Sequence, residues 1–259
     1  MGIFIVAVIA TSLGSWWGAK LIRMWGGANR CQAVSFAVTL AFSPIVNLWM
    51  KRPIIGLLLR RSNLGHRARD WPWWIAALVL VTVGVCEEGI KATPALASSI
   101  RRAIRSRGSA VPMAFTIGLG FALGEIWYLA VGLYLHDRAT ASLPFYMLGG
   151  FLSERLATIF IHSFLSLVAL NGLLIGRGGF LLSAAGAMLL HALADLAPIL
   201  YQMKQLGPEP TGLVIALITL GSFLPFYRYS KKKPPAGRWA LVATSTRVLY
   251  SVEDLGKPK

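Results

Sequence analysis

The sequence predicts an all-α protein, a polytopic transmembrane helical bundle of about seven helices (six to eight). Three observations lead there. Of 259 residues, 56% are hydrophobic and only 14% charged. The mean hydropathy is +0.62, and this composition departs from that of soluble globular domains. The apolar residues fall in runs long enough to cross a bilayer, and most Lys and Arg lie between the runs.

Taken in order, the first run, Ile3 to Leu21, lacks a basic leader and a clear small-residue cleavage site, so it is expected to be retained as a span. The second, Ala33 to Met50, stops where Lys51, Arg52 and Pro53 begin a basic loop. Trp71, Trp73 and Trp74 form an interfacial aromatic belt at the start of the third, Trp74 to Ile100. The fourth, Val111 to Leu135, contains Gly118, Gly120 and Gly124, a spacing that lets another helix approach closely. The fifth runs from Phe145 to Ile175, the sixth from Phe180 to Leu200 and the seventh from Thr211 to Tyr227. Residues 1–229 therefore read as one membrane domain with its motif core at 80–200, and 230–259 as a basic, flexible, surface-lying tail.

A net charge of +16 points to nucleic acid in a soluble protein, but here the basic residues lie in loops and tail, and anionic lipid headgroups are the expected partners. Arg101, Arg102, Arg105 and Arg107 share a side with Arg228, Lys231, Lys232, Lys233 and Arg238, which marks that side as cytoplasmic. The loop with Lys51, Arg52, Arg60, Arg61, Arg67 and Arg69 falls on the other side, so either a re-entrant segment lies near Pro53 to Leu59 or the helix count shifts by one. Cys31 and Cys86 do not make a disulfide framework.

Function is signalled by Glu87, Glu88, Glu125, His162, His191 and Asp195, all inside apolar runs. A charge at the bilayer centre costs about 2.5–3.5 kcal/mol on insertion scales, so several together indicate binding, proton relay or catalysis. Helical rise places them in one layer, roughly 16–22 Å from the face that carries Arg101.

Within this layer, Glu87, Glu88 and Lys91 form an EExxK pattern, with Glu87 and Lys91 one turn apart, so Lys91 can neutralise one carboxylate. Phe121 and Glu125 follow on the fourth helix, where Glu125 adds a third acid for which no partner is evident. On the fifth, Glu154 and Arg155 read as an interfacial pair, and His162 and Ser166 share a face. On the sixth, Asp195 can accept from one nitrogen of His191 and so fix the tautomer. The sequence contains no HExxH, GxSxG, P-loop or dinucleotide-binding glycine pattern. Water activated by a carboxylate, with histidines stabilising an oxyanion, is the simplest chemistry these groups perform.

The ordered set from Glu87 to Asp195 resembles the intramembrane protease superfamily of type II CAAX prenyl endopeptidases, PrsW and YhfC proteins. Glu87, Glu88 and Lys91 stand where that superfamily has a double glutamate followed by a basic residue. Phe121 with Glu125 is similar to the PrsW-like second motif, where CAAX enzymes carry His, and Glu154 to Ser166 resembles the YhfC pattern. The resemblance implies an endopeptidase cutting in or near a transmembrane segment of a membrane protein or membrane-anchored peptide. Glu87 would activate water, Glu88 and Glu125 tune it, His162 and His191 stabilise the oxyanion or bind metal, Asp195 orient His191, and Lys91, Phe121 and Ser166 contribute charge balance or substrate contacts. The cofactor is either none or one divalent metal such as zinc, whose ligands would be Glu88, Glu125, His162 and His191. The expected location is a prokaryotic plasma membrane. Two alternatives stand beside it: a non-catalytic scaffold like the gamma-secretase subunit of the same superfamily, and a proton-coupled transporter.

Overall fold

The computed structural model describes residues 1–65 and 67–231. Seven helices in it are long and apolar enough to cross a membrane: α1 Gly2–Met24, α2 Arg30–Arg61, α3 Trp73–Leu96, α4 Gly108–His136, α5 Phe145–Leu174, α6 Arg177–Gln202 and α7 Pro208–Lys231. The all-α polytopic bundle expected from the sequence is therefore the architecture found. The expected tail begins inside α7 at Ser230 and Lys231; its remainder, with Lys232, Lys233 and Arg238, lies outside the described residues.

The largest departure concerns α2. An Asn29–Gln32 capping box starts it, with Asn29 accepting from the Gln32 amide and Gln32 from the Asn29 amide. Pro44 removes one amide donor, and beyond it Val46–Lys51 form a π-helical turn. Pro53 falls in the first turn of the α-helical stretch Arg52–Arg61, where its missing amide is tolerated. The segment Pro53 to Leu59 is thus the end of a long helix, neither a re-entrant segment nor a loop. Lys51, expected in a loop, sits inside the span.

α4 is the centre of the bundle, with 78% of its most apolar window buried, against 17% for α7. Its glycines explain the close packing: a Cβ at Gly118 would lie 2.3 Å from the Ser163 backbone of α5, and one at Gly120 2.5 Å from the Phe36 carbonyl of α2. A Cβ at Gly124 would lie 2.4 Å from the Leu40 carbonyl. These contacts leave α2 and α5 on either side of α4. Gly84 plays the same part between α3 and α6, against the Met188 carbonyl.

Hydrogen bonds between helix ends fix the two faces. The Met1 amino group donates to the Ala141 carbonyl, placing the start of α1 beside the α4–α5 connection. Tyr229 donates to the Gly108 carbonyl and the Trp25 indole to Ser230, placing the end of α7 beside the ends of α1 and α4. This second face carries Arg23, Arg30, Arg101, Arg102, Arg105, Arg177 and Arg228, with no acidic side chain among the described residues. The opposite face mixes Asp70, Asp137 and Glu209 with basic residues. Cys31 and Cys86 are both free.

Candidate active site

Five helices contribute to one buried polar cluster. Glu87 and Glu88 are each 1% exposed and Lys91 2%, so their charges must find partners inside the bundle. Lys91 makes an ion pair with Glu88, at i and i+3, instead of with Glu87. Its ammonium also lies 2.8 Å from His162 Nδ1 and 5.0 Å from the centre of the Phe121 ring. An ammonium can only donate, so His162 Nδ1 is the acceptor and the ring carries its proton on Nε2. That Nε2 lies 3.1 Å from Glu125 Oε2, to which it donates.

Glu87 finds a partner that the sequence did not suggest. Lys51, from the end of the π-helical turn, makes an ion pair and hydrogen bond with Glu87 Oε1. Glu125 likewise gains Arg155, whose Nη1 lies 3.3 Å from its Oε2, while Arg155 Nη2 donates to Glu154 at 2.5 Å. The Glu154–Arg155 pair is present, but Arg155 is 6% exposed and turns inward. All three glutamates of the cluster therefore have a cation, where the sequence offered only Lys91.

His191 is held between three carboxylates. Its Nδ1 lies 2.6 Å from Glu88 Oε1, and its Nε2 lies 3.4 Å from Asp195 Oδ2 and 3.6 Å from Glu87 Oε2. Glu88 is thus the closer orienting group and Asp195, on the next turn, the more distant. The two imidazole rings stand 5.5 Å apart. Ser166, on the His162 face, is buried and its hydroxyl has no hydrogen-bond partner among the described residues.

A chamber of about 410 Å³ adjoins the cluster, lined by Glu87, Glu125, His162, His191 and Asp195 together with Lys51. Phe151, Glu154 and Gln202 extend its lining toward the mixed face. Glu87 Oε2 is buried and without a hydrogen-bond partner among the described residues. An unsatisfied anionic oxygen beside a cavity calls for water, substrate or a cation.

Glu87, His162 and His191 each offer a ligand atom, all within 4.8 Å of one another. Two imidazoles and a carboxylate are a common donor set for catalytic zinc, and Glu88 on His191 Nδ1 supplies the outer carboxylate that such a histidine usually has. For the ion, His191 Nε2 would exchange its contact with Asp195 and His162 Nε2 its hydrogen bond with Glu125. The donor set fits a divalent metal. The cluster includes Glu87, to which the sequence assigned the water, while Glu88 is engaged with Lys91 and the outer nitrogen of His191, and Glu125 with Arg155 and His162 Nε2.

The sequence model of the PrsW family intramembrane metalloproteases matches residues 29–224. The chain belongs to this family. Its members are intramembrane proteases, and the seven apolar helices make this one an integral, multi-pass membrane protein. The PrsW match extends on both sides of the motif set, covering the start of α2 and most of α7. Neither a curated protein nor a solved structure gives a significant match.

Lys51 and Arg155 are the functional candidates that motif reading missed. For Lys51 the available signal was the apolar stretch Ile54 to Leu59, which continues the span beyond the charge. For Arg155 it was the absence of a second cation near Glu125.

Proposed function

We propose that this PrsW-family protease hydrolyses a peptide bond in or near a transmembrane segment of a membrane-protein substrate, with Glu87 receiving the proton of the attacking water. One observation carries the assignment: Lys51 holds Oε1 of Glu87, while Oε2 makes no hydrogen bond among the described residues and the residue lines the chamber. The attacking O–H bond breaks toward Oε2 as the water oxygen joins the carbonyl carbon. The same carboxyl then returns the proton to the departing amine. His191 and His162 both line the chamber, with Nδ1 of each fixed by Glu88 and Lys91; His191 in its imidazolium form donates from Nε2 to the oxyanion, and His162 donates from Nε2 on giving up its bond to Glu125.

In a metal-loaded form Glu87 would serve instead as a ligand, with His162 and His191, to a divalent ion such as zinc, which would supply an acidified water and a polarised carbonyl. The likeness of Glu154 to Ser166 to the YhfC pattern favours this metal-dependent form. The scaffold alternative requires a polar layer satisfied internally, and the open chamber beside a Glu87 oxygen that makes no hydrogen bond among the described residues counts against it.

The test is Glu87→Gln in proteoliposomes supplied with a library of fluorogenic transmembrane peptides. Turnover is expected to fall by roughly 10²–10⁴, the usual contribution of a general base. Wild-type turnover in the variant would remove Glu87 from the reaction.

A further inference from the structure

The chamber has a neighbour. A second cavity of about 1030 Å³ lies between α5 and α7 and shares Glu154, Ala157, Pro198, Gln202 and Ile215 with the chamber wall. It is graded along the membrane normal. Ser153, Glu154 and Gln202 line it near the mixed face, and Trp17, Phe160 and Phe223 line it deeper.

The helix that forms its outer wall is held at one end. Phe226 is fully buried, with its ring 5.5 Å from that of Phe115 and 6.3 Å from Trp25, and the hydrogen bonds of Tyr229 and Ser230 lie just beyond. Ahead of Phe226 α7 has open space on both flanks: the groove on one and, at mid-helix, a cavity of about 340 Å³, lined by Ile161, Leu190, Leu193 and Ile218, on the other. Ile215 stands where α7 meets the chamber.

We propose that the α5–α7 groove is the binding site for the membrane-embedded apolar segment of the polypeptide substrate, delivering the residues beyond it into the chamber past Ile215. This rests on the protease reading above. The continuity of the two cavities decides the occupant. An apolar helix satisfies its own backbone and can lie against Trp17, Phe160 and Phe223 in contact with lipid. Where it must unwind to expose a peptide bond, its freed amides and carbonyls need partners, and Ser153, Glu154 and Gln202 stand at that end of the groove. A lipid acyl chain would use the apolar end alone.

The experiment uses the full chain in proteoliposomes with a biotinylated leucine–alanine peptide of about 20 residues, long enough to span, followed by a polar tail. A benzophenone side chain replaces Ala216 or Thr219 in the groove or, as a control, Leu182, which is exposed on α6. Peptide capture from the groove positions is expected to exceed that from Leu182 by about tenfold, the ratio given by 1.4 kcal/mol of preferential binding. Equal capture from all three, or capture of lipid only, would overturn the proposal. Cleavage of the same peptide by wild type is scored separately: capture without cleavage sinks the hydrolase reading and keeps the groove, and cleavage without preferential capture does the reverse.

Discussion

Lys51 reaches Glu87 across 36 residues of sequence, from the last position of the π-helical turn in α2. Glu87 is buried, and removing one partner of a buried ion pair typically costs about 3–5 kcal/mol because the other charge is stranded. Lys51→Met is therefore expected to unfold at markedly lower temperature in detergent. Lys51→Met with Glu87→Gln should recover most of that loss, since neither charge remains. A double variant as unstable as the single one would show that the pair is not what holds α2 to α3.

Arg155 serves two carboxylates at once, with one guanidinium nitrogen on Glu154 and another near Glu125. Its planar fork does this with two separate nitrogens, a reach that the single nitrogen of a lysine ammonium lacks. Arg155→Met should destabilise the fold on the order of 3–5 kcal/mol, with Arg155→Lys between it and wild type. Equal stability of all three proteins in thermal unfolding would show that the fold does not depend on the guanidinium.

Gly118 keeps α4 and α5 close enough for Glu125 to meet His162. A valine there must displace the Ser163 backbone, whereas Gly132, further along α4, has open space. Overpacking of this kind costs about 1–3 kcal/mol. Gly118→Val should lose both stability and turnover, and Gly132→Val neither. Full activity in Gly118→Val would mean that the Glu125–His162 contact is dispensable.

Metal binding can be measured directly. Elemental analysis of purified protein is expected to give one divalent ion per chain, lost in a His162→Ala, His191→Ala double variant and on dialysis against a strong chelator. Removing either ligand alone should weaken retention, as should Glu88→Gln, which loosens the grip on His191 Nδ1. An ion retained by the double histidine variant would place the metal elsewhere.

The polar layer was legible because an ionisable side chain within an apolar run has few explanations. Glu87, Glu88, Glu125, His162 and His191 converge in the fold as their depths suggested, and Asp195 borders them at greater distance. What could not be read was pairing. Glu87 and Glu88 lie four and three residues before Lys91, and helical spacing allows either to take it; only Lys51, arriving from α2, decides that Glu88 does. Lys51 itself was hidden by its neighbours, since Lys51, Arg52 and Pro53 together look like a loop. The π-helical turn that carries it inward has no sequence signature beyond the preceding Pro44.

The contrast between α4 and α7 has a consequence for the lipid environment. α4 is enclosed by other helices and cannot change its tilt without breaking the core, while α7 buries only Thr211, Ser222 and Phe226 and leaves most of its length on the outside of the bundle. A bilayer thinner or thicker than the apolar length of the protein will therefore be accommodated first by leaning α7. Because Ile215 of that helix borders the chamber, any such lean moves part of the chamber wall.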